Sequence, residues 1–210
     1  MSEIKEFRGV RGLVYAEVTK DNNESGTGEG YVTGTVKSLA GVAEISRTTE
    51  TSSEAHYYDN QPAIVIDSVG SDELTISVSA IDLSTLGDIT GQTYDSSKGM
   101  LVEGDRTEKY FAIGYITEKT DGTEVFVWRL KGKFSVPDQT NSTKNNGTDA
   151  NGQELTFTGI ATTHKFTSTS KTAKAINVDT SVNTGVAEST FFGTVQTPDT
   201  VTAPTPSPSV

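Results

Sequence analysis

Between Glu108 and Val136 the chain alternates apolar and polar residues in two runs around Asp121-Gly122, and this alternation limits the possible folds more than any other feature. Successive side chains of a strand point to opposite faces, so a period of two implies extended backbone with one buried face. Asp-Gly tolerates the positive φ of a tight reversal, so the two runs read as a β-hairpin. On the second run Phe126, Trp128, Leu130, Phe134 and Val136 fall on one face, with Phe126, Trp128, Leu130 and Phe134 as the candidate core, and Val125, Val127, Arg129, Lys131 and Lys133 fall on the other. The expectation is a sheet with a core on one side and a wet or protein-contacting surface on the other. Such a plan suits a structural β-protein more readily than an enzyme.

Composition fits this plan. Hydrophobic residues make up 33% of the 210, thin for a monomeric globule, and aromatic residues 8%, so the core is expected to be modest and stability to lean on neighbouring subunits. Thr, Ser and Gly are abundant, which favours strands and turns over helices. The formal net charge of −11 argues against electrostatic nucleic-acid binding, which needs clustered Lys and Arg; the chain should repel DNA. Cysteine is absent, so no disulfide framework or Cys-based metal site is expected. Met1-Ser-Glu-Ile-Lys-Glu lacks the basic segment and apolar run of a secretory signal, and no apolar stretch approaches membrane-spanning length. A protein kept in the cytoplasm, or released by lysis, is the expectation, with no membrane partner.

Along the chain, Met1–Val10 reads as an N-terminal arm, residues 11–194 as one β-domain, and Val195–Val210, which holds most of the prolines, as a disordered tail. Val10–Thr19 reads as a first strand, Asp21–Gly30 as a polar loop, and Tyr31–Val36 with Val42–Thr51 as an extended pair. Thr51–Gln61 is wholly polar at its start and too long for an ordinary hairpin connection, so it reads as a long loop, functional or disordered. Pro62–Val69 and Glu73–Leu83 suggest a hairpin around Gly70-Ser71-Asp72. Asp82–Ile89 is the one helix expected, capped by Ser84 and stopped by Gly91. Gly99–Val102 reads as a short strand, Pro137–Gly152 as an Asn/Gly loop and Leu155–Phe166 as a strand, with Phe191-Phe192 able to dock late in the chain.

Candidate chemistry is sparse. The two histidines, His56 and His164, sit in no triad or HExxH spacing and read as surface or packing residues. Asp21-Asn22-Asn23-Glu24-Ser25-Gly26 imitates the start of a calcium loop, but Val32 occupies the position that needs a bidentate carboxylate. Gly26, Gly28 and Gly30 alternate without the dinucleotide fingerprint or a following helix. Nothing among the 28 acidic residues selects a glycosidase pair, and the sequons at Asn141 and Asn146 lack a signal peptide to give them meaning. No cofactor or metal is expected. The basic stripe Arg129, Lys131, Lys133 has two readings, contact with an acidic patch on another subunit or a solvated sheet face.

Four ordered segments carry a family resemblance: Tyr57-Tyr58-Asp59-Asn60, Glu73–Gly91, Tyr110–Thr117, and Val127–Asp138 followed by a Thr/Asn-rich loop and ELTFTG. With the opening FRGVRGLVYAEV they cover most of residues 7 to 166, and the set resembles the major tail (tail tube) proteins of long-tailed phages of Gram-positive bacteria. The resemblance implies a tail-tube-type β-sandwich with one short flanking helix and long loops, assembled as hexameric rings stacked into a tube that conducts DNA during ejection. It implies a place in the virion, with assembly in the host cytoplasm and tape measure, tail terminator and distal tail proteins as partners. An acidic wall would let DNA slide without specific binding. The N-terminal arm and long loop would contact adjacent rings, making His56, Tyr57, Tyr58, Asp59 and Asn60 contact candidates beside Arg129, Lys131 and Lys133.

The rival class is a free-standing β-sandwich module recognising cell-surface carbohydrate, with Trp128, Tyr57 and Tyr58 stacking on sugar rings. Trp128 alternates in phase with Phe126 and Leu130, which argues for core over exposure.

Overall fold

The Asp121-Gly122 hairpin stands at the centre of the molecule. In chain order the elements are β1 (Phe7–Asp21), β2 (Tyr31–Thr33), β3 (Lys37–Ser38), β4 (Val42–Tyr58), β5 (Gln61–Val78), α1 (Leu83–Thr90), β6 (Thr93–Asp95), β7 (Met100–Val102), β8 (Tyr110–Lys119), β9 (Glu124–Phe134), β10 (Gln153–Gly159), β11 (Ala175–Asp179) and α2 (Glu188–Phe191). The computed structural model describes residues 4–23, 30–58, 60–138 and 152–204. The protein is mainly β, with a curled antiparallel sheet of nine strands in the order β2-β1-β8-β9-β10-β5-β4; β3 joins β1 and β11 joins β9 off that path. The ribbon β6–β7 stands apart from it.

The hairpin forms where the alternation placed it. Gly122 has φ 83°, and Asp121 Oδ1 accepts from the Thr123 amide at 3.0 Å and its hydroxyl at 2.6 Å, which pins the turn. The expected single apolar face is corrected by a bulge. Phe111 pairs with Gly132 and Ile113 with Arg129, so Leu130 and Lys131 together stand opposite Ala112. One extra residue reverses every later side chain. Phe126, Trp128 and Leu130 therefore pack in an outer layer, whereas Phe134 joins Val127 in an inner one. All four expected core residues are buried, and so are Val127 and Arg129 from the face expected to be wet.

The bulge is also where the sheet forks. Val125–Arg129 take β11 as their second neighbour, and Gly132–Phe134 take β10. Inside the curl, Tyr15, Phe111, Phe134 and Phe157 form a chain of ring contacts with centroids 5.0–6.0 Å apart, surrounded by Leu74, Ile76 and Leu155. The other face of β1, β8 and β9 would be bare without the C-terminal third. There Trp128 Nε1 donates to the Phe191 carbonyl at 3.0 Å, and Phe126 meets the Phe191 and Phe192 rings at 5.3 and 5.5 Å. Gly114 lies close beneath them: a Cβ there would stand 3.0 Å from both Trp128 and Phe192, so a larger residue needs one of the rings to give by a few tenths of an ångström. The docking of Phe191-Phe192 is as expected.

The expected disordered tail is corrected over its first ten residues. Val195 and Thr197 are buried, Asn183 Nδ2 donates to the Thr202 carbonyl at 2.9 Å, and Asp199 accepts from the Thr167 and Ser168 amides at 2.9 and 2.7 Å. Residues 205–210 lie outside the described residues, as does most of the Asn/Gly loop, 139–151. The N-terminal arm is likewise a strand from Phe7 on, paired with Lys119–Ile116 and tied by ion pairs Lys5–Asp121 and Arg8–Glu118.

Three local expectations also change. β2 and β3 pair with β1 rather than with β4. The helix runs Leu83–Thr90 with Asp82 at its N-cap position and no side-chain cap, so Ser84 lies inside it; Gly91 ends it at φ 72°, with no room for a Cβ against the Thr107 carbonyl. The strand after the loop stops at Gly159, and Phe166 reaches the outer core from irregular backbone.

Candidate functional site

The expected long loop is an arm built from two strands. β4 runs unbroken to Tyr58 and β5 begins at Gln61, with pairing from Val42↔Val78 out to Tyr58↔Gln61. The Gly70-Ser71-Asp72 turn is instead a bulge: Thr49 pairs with Asp72 and Thr51 with Val69. The carboxylate of Glu50 fills the opposite position and accepts from the Ser71 hydroxyl at 2.8 Å and the Ser71 amide at 3.3 Å. A carboxylate tied across the gap lets the strand continue where glycine and serine suggested a reversal.

β10 pairs with β5 only from Asp72 to Val78, so beyond Asp72 the two strands leave the body with no other described strand beside them. Both faces of this ribbon carry apolar groups. Val65 pairs with Ala55 and Val69 with Thr51, in phase with Tyr57; Ile64 pairs with His56 and Ile66 with Glu54, in phase with Tyr58. Tyr57, Tyr58, Ile64, Val65, Ile66 and Val69 are 52% to 67% exposed. His56 is half-buried, and Asn60 takes the left-handed region at φ 62°, which asparagine tolerates. Asp59 lies outside the described residues. Sequence reading picked out Tyr57 and Tyr58 but missed Ile64–Ile66; the signal was the run Ala63-Ile64-Val65-Ile66, read there as part of the first strand of a hairpin.

Each cation of the basic stripe meets a carboxylate of its own chain, and the three do not form one solvated face: Arg129 is buried, whereas Lys133 stays partly exposed. Arg129 Nη1 donates to Asp72 Oδ2 at 3.0 Å with both side chains buried, and Lys174 Nζ reaches the other oxygen at 3.3 Å. Arg129 Nε is buried without a hydrogen-bond partner. Lys131, turned by the bulge, meets Asp21 at 2.6 Å. Burial pushes the Asp21 carboxyl up, but Lys131 and the amides of Thr163 and His164 outweigh it and hold it below the ordinary aspartate range. Lys133 meets Glu108 at 2.7 Å, and both lysines lie over the Tyr110 ring at 4.8 and 4.7 Å.

The remaining candidates are structural. His164 is buried, with Nδ1 3.2 Å from the Asn22 carbonyl and its ring edge-on to Phe166 at 5.2 Å. Asp21, the first residue of the calcium-loop imitation, spends its oxygens on Lys131 and two backbone amides, while residues 24–29 lie outside the described residues. Trp128 is fully buried and cannot stack on a sugar. Among the described residues no helix is long and apolar enough to cross a membrane.

No protein-family model matches the chain, and no curated protein matches it. The arm itself is therefore the strongest pointer to function. An isolated two-stranded hairpin is marginal in water, and exposed strand edges with apolar faces invite pairing with another chain.

Proposed function

We propose that this chain is a structural protein whose copies join through the β4–β5 arm into rings that stack as the tail tube of a long-tailed phage. The observation that carries the reading is the arm, an ordered ribbon with apolar residues on both faces and no cover among the described residues. Burying six such side chains against neighbours supplies the association energy that the thin apolar content withholds from the monomer, at roughly 25 cal/mol per Å². A contact in which one surface of a copy meets a different surface of the next propagates, closing as a ring or continuing as a filament. The ordered resemblance of residues 7 to 166 to tail tube proteins supports the tube in particular, with hexameric rings and tape measure, terminator and distal tail proteins as partners. The −11 charge suits a wall past which DNA slides unbound.

The test is assembly of the full chain at rising concentration, followed by light scattering and negative-stain microscopy. Rings or tubes are expected. A monomer at every concentration, salt and temperature, with and without a tail-tip initiator complex, would overturn the reading.

A further inference from the structure

The curled sheet does not close. β1 pairs with β8 on one side, and along Phe7–Gly12 no described strand pairs with its other edge; among the described strands β4 pairs only with β5. These two free edges face each other across a groove of about 620 Å³. Its walls are Phe7–Val10 of β1 and Ala43–Arg47 of β4, and its floor is the outer end of the inner core, Tyr115, Val125, Val127 and Arg129. Both walls present backbone edges, and an extended chain laid along either one would take main-chain hydrogen bonds from it.

We propose that this groove receives the β4–β5 arm of a second copy of the chain. This rests on the assembly reading above and names the surface that the arm meets. Charge selects the occupant. Arg8, Arg47 and Arg129 line the groove against one carboxylate, Glu44. Arg8 and Arg129 already hold Glu118 and Asp72, whereas Arg47 has no carboxylate partner among the described residues. The arm is the complement: from Thr48 to Ser97 the sequence has no Lys or Arg, and Glu50, Glu54 and Asp67 stand along the ribbon among its apolar residues. The arm cannot enter its own groove, because Arg47 and Tyr58 lie on one continuous strand, roughly 36 Å apart at about 3.3 Å per residue. The contact is therefore between copies. It joins unlike surfaces, so each copy offers both an arm and a groove, and the link repeats.

The absence of cysteine makes the test direct, since every thiol is an introduced one. Val65→Cys on the arm and Ala43→Cys at the groove are purified separately, mixed under assembling conditions and treated with a short bismaleimide. Product between unlike chains is expected, and Val32→Cys, on an exposed site beside Lys20 at the far end of β1 from the groove, should give little with either. As a second readout, Arg47→Glu should raise the concentration at which assembly begins by about tenfold at low salt, and less at high salt. Assembled particles without arm-to-groove product, or product no greater than with Val32→Cys, overturn the groove assignment and leave assembly standing. Absence of both product and particles removes the assembly reading with it.

Discussion

The two halves of β5 share a strand and a residue vocabulary yet live in opposite environments. From Asp72 to Val78 it lies between β4 and β10, and Leu74, Ile76 and Val78 are buried. From Gln61 to Val69 its one neighbour among the described strands is β4, and Ile64, Val65, Ile66 and Val69 face solvent. Composition does not separate the halves; the neighbours do. β10 ends at Gly159, opposite Asp72, and the carboxylate of Asp72 holds Arg129 and Lys174 at that border. An apolar strand states that something must cover it, and the difference between the halves is whether that cover belongs to the same chain.

Substitutions in the body should break folding and substitutions in the arm should break only association. The largest effect is expected from Trp128→Ala, which empties a fully buried site under Phe192 and strands the Phe191 carbonyl; a loss of about 3–5 kcal/mol in denaturant titration is the expected outcome. Asp72→Ala comes next, since it leaves Arg129 buried without its carboxylate, at roughly 3 kcal/mol by the same measurement. The arm variant Ile64→Ser with Ile66→Ser should leave monomer stability within about 0.5 kcal/mol, because both side chains are already exposed, while abolishing particles in light scattering. If that pair costs as much as Trp128→Ala, the two halves of β5 do not differ as described.

The smallest effect is electrostatic. Lys119 and the Ser181 hydroxyl hold the Asp179 carboxyl down to about 2, below the roughly 3.9 of an unfolded aspartate. A lowered folded value means stability that is present above the unfolded value and lost as pH falls through the folded one, so this contribution should fade between about pH 4 and pH 2. In Lys119→Met the Asp179 midpoint, followed by carboxyl-carbon NMR, should rise towards the ordinary value, so that the contribution shrinks and its loss is complete at a higher pH. Arm association should be indifferent to that change.

Much of the body was legible in the sequence because its signals are local. Asp121-Gly122 and the flanking alternation define β8 and β9, and Gly91 ends the helix for a steric reason written in one residue. The reading failed where a non-local partner overrides a local rule. The bulge at Leu130-Lys131 is set by pairing with Ala112, and no pattern within β9 announces it. Gly70-Ser71 resembles a turn until Glu50 bridges it from the opposite strand. The stripe of Arg129, Lys131 and Lys133 looked like one wet face because Asp72, Asp21 and Glu108 come from distant parts of the chain. The proline-containing C-terminal stretch read as tail, yet it covers a layer that the alternation of β9 alone could not reveal.

Amide hydrogen exchange on the same protein as monomer and as assembled particle tests the central claim most directly, since it reports cover residue by residue. Amides of Thr51–Tyr58 and Ala63–Val69 should exchange rapidly in the monomer and become protected in the particle, while Leu74–Val78 and Phe126–Leu130 stay protected in both. Equal exchange of the arm in the two states would contradict the account, because the arm would then have found no partner in another copy.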